Sequence, residues 1–339
     1  MQYMKSAPRE DFLSEKYLGY VFYQFLPIVL ELNSRRLIEY SKACNKSSLG
    51  FLSREGFLLK VAFDHWVSLR PSSQGFKSDY LHVSRRALNR YLVGSEDYDI
   101  KYVLHELYEG TVLNFLNGRF SLEQYEVAEF FSPQQLKKRI SWGERDEILL
   151  VVETLNCQLR EHPLPDRDLL KQYLINFVNE DTILVDVGFK GTMQQLINLS
   201  FPYDVHGFYF ALSPDAWSHK FQGSAISKSR SNVLIKDSIL IESLLTAPHG
   251  TTLKYEKTKS GVIPKLENQI EFEVPYSIEK ILLEMEKFID FSDVQIEEMF
   301  WVAWGQALRA MSQLTSSQRN LFRVEDKWSR MGSTLYGQI

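Results

Sequence analysis

The chain has 339 residues, of which 44% are hydrophobic, and this is enough for one large domain or two ordinary ones. Its formal net charge of −4 argues against a protein that coats nucleic acid, so local clusters of basic residues are interpreted as individual sites. The two cysteines, Cys44 and Cys157, lack the spacing of a metal site and are too few for a disulfide framework, which favours reduced thiols in the cytoplasm.

A long helix is predicted near the N-terminus, over residues 17–44, with a kink at Pro27. The residues before it are charged and lack the apolar core of a signal peptide. The most apolar stretch, residues 17–32, is only 16 residues long and contains Gln24, so it is short for a membrane span. We expect a buried helix or one that docks on a surface, and peripheral membrane association remains the alternative.

Strand and helix signals alternate in the next segment of the chain. Residues 49–53 (LGFLS) are typical of a short buried strand, and the apolar residues from Phe57 to Trp66 then follow helical spacing. Residues 80–84 (YLHVS) predict a second strand, which the helical segment RRALNRYLVG follows. This alternation predicts an α/β fold in which crossover helices connect the strands of a parallel sheet.

Residues 96–180 have a different pattern and predict successive helices without a strand, one of them starting at the N-cap signal SPQQ. The clearest strand of the chain, residues 182–187 (TILVDV), returns to the sheet, and residues 205–213 predict another. We therefore expect an α/β core from residues 1–95 and 181–255, a helical insertion at 96–180 and a C-terminal helical region at 256–339. Within that last region, residues 261–275 predict a small hairpin or an irregular lid.

The clearest strand ends in an acid and a glycine-bearing turn. The residues concerned are Asp186, Gly188, Phe189, Lys190, Gly191 and Thr192. Ligands bind at the carboxyl ends of parallel strands, and glycines let the backbone approach a ligand closely. The free N–H groups at the start of the next helix, with Lys190 and Thr192, favour a phosphate. The Asp186 carboxylate suits sugar hydroxyls or a hydrated Mg²⁺ ion, so the motif predicts a sugar-phosphate site.

Two further strand-to-helix turns carry arginines. The first contains Ser53, Arg54, Glu55 and Gly56, and the second contains Ser84, Arg85 and Arg86. Guanidinium groups match phosphate oxygens, although each turn taken alone is equally typical of an ordinary structural connection. Because all of these turns are expected at one edge of the sheet, together they suit a ligand with phosphate at both ends and a hydroxylated middle. Phosphoribosyl diphosphate fits that description.

Four segments of the chain resemble, in matching order over roughly residues 15–255, a module of bacterial polysaccharide-biosynthesis proteins. They are FLSREGFLL, YLHVSRRAL, VDVGFKGTMQQL and IESLLTAPHGTTLKY. The module is similar to the type I phosphoribosyltransferases, is understood as a glycan phosphoribosyltransferase, and often lies beside a haloacid-dehalogenase-type phosphatase. The resemblance implies a type I phosphoribosyltransferase-like, Rossmann-type core. It also implies transfer of 5-phosphoribose from phosphoribosyl diphosphate to a sugar hydroxyl of an O-antigen or capsule.

By this resemblance, Ser53–Gly56 would form a pyrophosphate loop and Ser84–Arg86 would add contacts to the pyrophosphate. Asp186 would bind the ribose hydroxyls, and Gly188–Thr192 would surround the 5-phosphate. Type I enzymes carry two adjacent acids at this strand end, whereas here Val185 precedes Asp186. No DxDx[TV] motif of a phosphatase is present, so a separate haloacid-dehalogenase-type phosphatase is implied as the partner that would leave ribofuranose.

The implied reaction needs positive charge for the leaving diphosphate and a base for the acceptor hydroxyl. Arg54, Arg85 and Arg86 are candidates for the first role, with Mg²⁺ as the expected cofactor, which Asp186 would contact through water. Candidates for the base are Glu55, Glu242 and His249, although Glu242 and His249 suit ordinary structural roles as well.

Two tryptophans near predicted loops, Trp142 and Trp217, are candidates for stacking on a saccharide, whereas Phe300 and Trp304 follow helical spacing and are expected in the core. The acceptor would be an oligosaccharide or a lipid-linked glycan, which predicts a protein in the cytoplasm or at the inner face of the membrane. The alternative function is a non-catalytic scaffold that binds a sugar phosphate and recruits a phosphatase.

Overall fold

The computed structural model describes residues 9–73, 75–104, 108–214, 216, 222–227, 229–267, 275–315 and 318. The strands are β1 (Ser48–Leu52), β2 (Lys77–Leu81), β3 (Glu109–Thr111), β4 (Arg139–Ser141), β5 (Thr182–Asp186), β6 (His206–Tyr209), β7 (Gly223–Ala225), β8 (Thr252–Thr258) and β9 (Gly261–Leu266). The α-helices are α1 (Arg9–Tyr20), α2 (Leu26–Cys44), α3 (Gly56–Ser68), α4 (Arg85–Leu92), α5 (Val112–Phe120), α6 (Gln124–Val127), α7 (Pro133–Lys137), α8 (Arg145–Glu161), α9 (Leu169–Leu174), α10 (Thr192–Asn198), α11 (Ser231–Lys236), α12 (Ser238–Leu245), α13 (Ile278–Glu286) and α14 (Asp293–Ser312).

The prediction of an α/β fold with a parallel sheet is confirmed. Five strands form one sheet in the order β2-β1-β5-β6-β7, and every neighbouring pair is parallel. Successive side chains of β5 point to opposite faces, as the pleat of a strand requires. Ile183 and Val185 join the core formed with α2, α3 and α14, whereas Leu184 joins the core formed with α4 and α10. Helices therefore cover the sheet on both faces, and the inner strands β1, β5 and β6 are largely buried.

The predicted N-terminal helix is present and irregular near the predicted kink. A π-helical segment, Val21–Phe25, joins α1 to α2, and Pro27 lies in the first turn of α2. Proline has no N–H to donate to the residue four positions earlier, so the altered hydrogen bonding just before it has a direct cause. The residues of α2 up to Ser34 are buried in the core. None of the helices in the described ranges has both the length and the apolar character needed to cross a bilayer.

The insertion contains the predicted helices but is not entirely helical. The expectation of no strand between residues 96 and 180 was wrong, because β3 and β4 form an antiparallel pair with Gly110 opposite Ile140. Each strand has three residues, too few for an alternating pattern to be visible in the sequence. The SPQQ signal is confirmed, since Ser132 caps α7 and forms a capping box with Gln135.

A β-hairpin, β8–β9, crosses the expected boundary between the core and the C-terminal region. It starts earlier than predicted, at Thr252, because the first strand comes from the segment TTLKY. Tyr255 is fully buried, and its phenol donates to the His82 carbonyl at 2.9 Å. The hairpin is thereby fixed next to the end of β2. Helices α13 and α14 follow as predicted, and Phe300 and Trp304 are buried core residues as expected.

A buried arginine connects the sheet layer to the insertion. The Arg90 side chain is 2% exposed and lies 2.6 Å from the Glu126 carboxylate and 2.9 Å from that of Asp166. It also donates to the Ser121 carbonyl at 3.1 Å. Because water cannot replace these partners, the removal of the guanidinium leaves two acids in the interior without their cation.

We predict that Arg90→Met lowers the free energy of unfolding by about 3–5 kcal/mol, the usual result of breaking a buried ion pair on one side. The matched control is Arg139→Met, because Arg139 also pairs with a glutamate, Glu109, but both side chains are about three-quarters exposed. An exposed pair contributes about 0–1 kcal/mol. Urea unfolding measures both changes, and equal losses in the two variants would contradict the assignment.

Candidate functional site

The turns that follow β1, β2 and β5 lie together at the carboxyl edge of the sheet. β1 pairs with β2 on one side and with β5 on the other, so that Phe51 has Tyr80 and Val185 as its neighbours. The three strands point the same way, and the turns after them must leave the sheet at the same edge. The Ser53 N–H donates to the Leu81 carbonyl at 3.0 Å, which joins the first turn directly to the second strand.

Two serines of these turns hold the backbone in place. The Ser53 hydroxyl donates to the Val83 carbonyl at 2.6 Å and accepts the Val83 N–H at 3.1 Å. The Ser84 hydroxyl donates to the Thr252 carbonyl at 2.6 Å and caps α4 by accepting the Ala87 N–H. Both hydroxyl protons thus already have acceptors in the protein. The contacts with a diphosphate that were predicted for Ser53 and Ser84 stay predictions. The peptide bonds Ser53–Arg54 and Gly188–Phe189 are cis.

The arginines at this edge differ in their surroundings. Arg54 is half-buried, and its guanidinium makes no hydrogen bond or ion pair with any residue that the structure describes. Burying a cation without a partner is costly, so this position favours an anion. Arg85 also faces the edge, because its charge acts on Asp186. Arg86, by contrast, is buried and donates to the Asn117 carbonyl at 3.0 Å, and thus connects α4 to α5 instead of joining the other two arginines.

Asp186 is the last residue of β5, and its carboxylate accepts the Val187 N–H at 2.8 Å. Burial and, second, the negative charge of Glu55 raise the pKa of Asp186 to about 7, against the opposing effect of Arg85. Glu55 accepts the Arg54 N–H at 3.2 Å and is half-buried in the neighbouring turn. Two carboxyl groups and two arginines therefore face one small space, which is the charge pattern of a polar binding site.

The turn after β5 has a backbone that requires glycine. Gly188 has a φ of +139°, and a Cβ there would lie 2.2 Å from the Ala211 carbonyl oxygen. Gly191 has a φ of +66° and precedes Thr192, the first residue of α10. The Phe189 side chain packs against the core, whereas Lys190 is exposed. A phosphate here would therefore be held mainly by backbone N–H groups and the Thr192 hydroxyl.

Gly56 has a packing role that differs from its predicted one. It is buried at the start of α3, where a Cβ would lie 2.9 Å from the backbone carbonyl carbon of Phe51. The missing side chain lets α3 begin directly against β1. Gly56 therefore positions the Arg54–Glu55 turn without needing to approach a ligand itself.

His249 reaches the same edge from the loop after α12. The Tyr80 hydroxyl lies 2.8 Å from its Nε2, and its Nδ1 lies 2.9 Å from the Gly250 carbonyl oxygen. Burial and, to a smaller extent, the charge of Arg54 lower the pKa of His249, while the Glu55 carboxylate acts in the opposite direction. His249 thus makes the backbone contact that was expected of a structural histidine, and it also lies close to the site.

Two residues of the site, Tyr80 and His82, were not predicted. Their rings pack edge-on with centroids 4.9 Å apart, and the His82 ring lies 5.0 Å from that of His249. Burial and then the neighbouring His249 lower the pKa of His82 to about 4. The sequence signal for them is their position, because Tyr80 lies near the carboxyl end of β2 and His82 directly follows it, at the edge where ligands bind.

Glu242 is half-buried within α12. Trp217 and the side chain of Trp142 lie outside what the structure describes. Of the predicted catalytic residues, the structure brings Glu55, Asp186 and His249 together.

The described residues contain no group of three or more potential metal ligands. Asp186 and Glu55 supply two carboxylates, and Mg²⁺ is commonly bound by one or two carboxylates together with waters and substrate phosphates, so the Mg²⁺ cofactor stays a prediction.

No protein-family model matches the chain, and no curated protein matches it either. A functional interpretation therefore depends on the geometry of this edge and on the four motif-bearing segments.

We predict that Asp186→Asn stabilises the protein at pH 8 by up to roughly 4 kcal/mol but changes little at pH 4. Between its ordinary pKa of 3.8 and its raised pKa of about 7, Asp186 keeps a proton in the folded state that the unfolded chain has lost. Its contribution to stability is therefore full at low pH and is lost as the pH rises through this window. Asparagine keeps the acceptor for the Val187 N–H and removes the charge.

Urea unfolding at both pH values measures the effect, with Asp290→Asn as the control because Asp290 is exposed in the turn after α13. An equal effect of Asp186→Asn at the two pH values would contradict the assigned cause of the raised pKa.

Proposed function

We propose that this protein is a glycan phosphoribosyltransferase that transfers 5-phosphoribose from phosphoribosyl diphosphate to a sugar hydroxyl of a bacterial O-antigen or capsule. The observation that carries the proposal is the shared edge of three turns. Arg54, whose guanidinium has no partner among the described residues, lies in the turn after β1, and the glycine-bearing turn after Asp186 lies beside it. The motif resemblance supplies the class of donor and acceptor, and with them the type I phosphoribosyltransferase assignment of the core.

The donor would lie across the edge from the turn after β2, past the turn after β1, to the turn after β5. Its diphosphate would be bound by Arg54 and Arg85, whose guanidinium groups match phosphate oxygens. Its ribose hydroxyls would contact Asp186, and its 5-phosphate would contact the backbone of the Gly188–Thr192 turn. Neighbouring strands are about 4.8 Å apart, so an extended phosphoribosyl diphosphate can reach both the turn after β2 and the turn after β5.

The proposed chemistry is a displacement at C1 of the ribose with inversion. The bond from C1 to the diphosphate oxygen breaks, and its electron pair leaves with pyrophosphate, while a new bond forms between C1 and the acceptor oxygen. The acceptor proton passes to a base, for which we favour the Glu55 carboxylate. His249 is the weaker candidate, because the lone pair of its Nε2 already faces the Tyr80 hydroxyl.

The product would be a phosphoribosylated glycan. Removal of the 5-phosphate to give ribofuranose needs a separate phosphatase, which we propose as a partner of the haloacid-dehalogenase type. A lipid-linked acceptor would bring the protein to the inner face of the membrane.

The test is incubation of the chain with phosphoribosyl diphosphate, Mg²⁺ and a synthetic oligosaccharide acceptor. We expect pyrophosphate release that requires the acceptor, and mass spectrometry should show an acceptor enlarged by one phosphopentose. Asp186→Asn should remove this activity while the fold stays intact. Donor binding without any release, over a panel of acceptors, would instead support the alternative of a non-catalytic scaffold that binds sugar phosphates.

We further predict that Arg54→Ala weakens donor binding more than tenfold, because a hydrogen bond to a charged group contributes about 1.5–3 kcal/mol. Arg139→Ala is the matched control, since Arg139 is exposed in the insertion. Isothermal titration calorimetry with the donor and no acceptor measures both affinities. Unchanged binding in Arg54→Ala would place the diphosphate elsewhere.

A further inference from the structure

Three rings form a contiguous cluster beside the Arg54–Glu55 turn. Tyr80 and His82 come from the end of β2, and His249 comes from the loop between α12 and β8. The ring centroids of Tyr80 and His249 are 5.7 Å apart, and His82 packs against both rings. The Tyr80 hydroxyl also lies 3.4 Å from the Arg54 carbonyl oxygen, so the cluster contacts the turn that carries the Arg54 cation.

The hydrogen bonds of His249 fit a neutral ring. A proton on Nδ1 donates to the Gly250 carbonyl, and the lone pair of Nε2 accepts the Tyr80 hydroxyl. Burial is the main cause that holds the pKa of Tyr80 above its ordinary value, so this phenol keeps its proton and acts as a donor. Both ring nitrogens of His249 are thus satisfied as long as Nε2 carries no proton.

The groups that face His249 make its charge sensitive to an anion. Arg54 lies in the turn after β1 and disfavours a protonated ring, and Glu55 in the same turn favours one. His82, directly after β2, packs against the ring and stays neutral because of burial. An anion bound at Arg54 would cancel the repulsion from the guanidinium and add negative charge of its own.

We propose that His249 takes up a proton when a diphosphate binds at Arg54, and that Tyr80 then turns its hydroxyl from His249 to the anion. This inference rests on the proposed diphosphate site. The proton comes from solvent and binds to Nε2, which then donates to the Tyr80 oxygen instead of accepting from it. The phenol hydrogen then turns towards the Arg54 side of the ring, where the Arg54 carbonyl oxygen lies 3.4 Å away and a diphosphate oxygen bound at Arg54 would be the more negative acceptor. No proton leaves Tyr80, so the charge of the site rises by one.

The consequence is a binding affinity that depends on pH. Uptake of one proton makes diphosphate binding tighter by up to about tenfold for each unit of falling pH, between the pKa of His249 in the free and in the bound protein. Tyr80 and His249 would then be positioning residues for the leaving group and would supply a donor only when the anion is present.

The test is calorimetry with inorganic pyrophosphate near pH 7, in two buffers with different ionisation enthalpies, which measures the protons taken up on binding. Wild type is compared with His249→Asn, because the titration of pyrophosphate itself is common to both proteins and cancels in the difference. We expect wild type to take up a larger fraction of a proton than His249→Asn. His65→Asn, on α3 beside Glu286, is the control and should match wild type.

Tyr80→Phe tests the second half of the proposal, because phenylalanine keeps the ring packing and lacks the hydroxyl. Its affinity for pyrophosphate should be lower than that of wild type by about tenfold near pH 6 and by less near pH 8. If His249→Asn does not fold, nuclear magnetic resonance of the imidazole groups in wild type replaces it, and the pKa of His249 should rise when pyrophosphate is added.

The outcomes separate this inference from the function on which it rests. Pyrophosphate binding that Arg54→Ala weakens, with equal proton uptake in wild type and His249→Asn, would overturn the inference and leave the proposed site standing. An absence of pyrophosphate binding by wild type would overturn both.

Discussion

The parallel pairing of β1 with β2 on one side and with β5 on the other determines where the polar residues of this protein lie. The central strands β1 and β5 are buried and largely apolar, so their register is strongly specified by the helices that cover both faces of the sheet. The three strands end at the same edge, and the turns that follow them carry different polar residues. A cation, two carboxyl groups and a glycine-bearing turn are thereby brought together from segments far apart in the chain.

The edge divides its polar residues between two tasks. Ser53 and Ser84 donate their hydroxyl protons to backbone carbonyls. These hydrogen bonds connect the turn after β1 to the turn after β2, and the turn after β2 to the hairpin. Arg54 keeps its guanidinium unpaired among the described residues, and Asp186 keeps a proton at the cost of stability at neutral pH. Residues that would be more stable with a partner mark the place where a ligand supplies one.

Much of this arrangement follows from local signals in the sequence. The strands β1 and β5 were predictable because their apolar runs end in a polar turn, and the turns could be placed at one edge by the rule for parallel sheets. The second strand was predicted at residues 80–84 but lies at Lys77–Leu81, because its first three residues are polar and carry no apolar signal. Other features depend on contacts between distant segments. Arg86 follows Arg85 directly, but one step along a helix rotates a side chain by about 100°, which directs it to Asn117. The contact of Tyr80 with His249 joins residues 169 positions apart and leaves no local trace.

The most direct measurement of the shared edge is a crystal structure with phosphoribosyl diphosphate bound in the absence of acceptor. We expect one donor molecule across the edge, with its diphosphate within hydrogen-bonding distance of Arg54, its ribose hydroxyls at Asp186 and its 5-phosphate at the backbone of Gly191 and Thr192. A donor bound at another place, or one in the reverse orientation with its 5-phosphate at Arg54, would contradict the proposed division of the site.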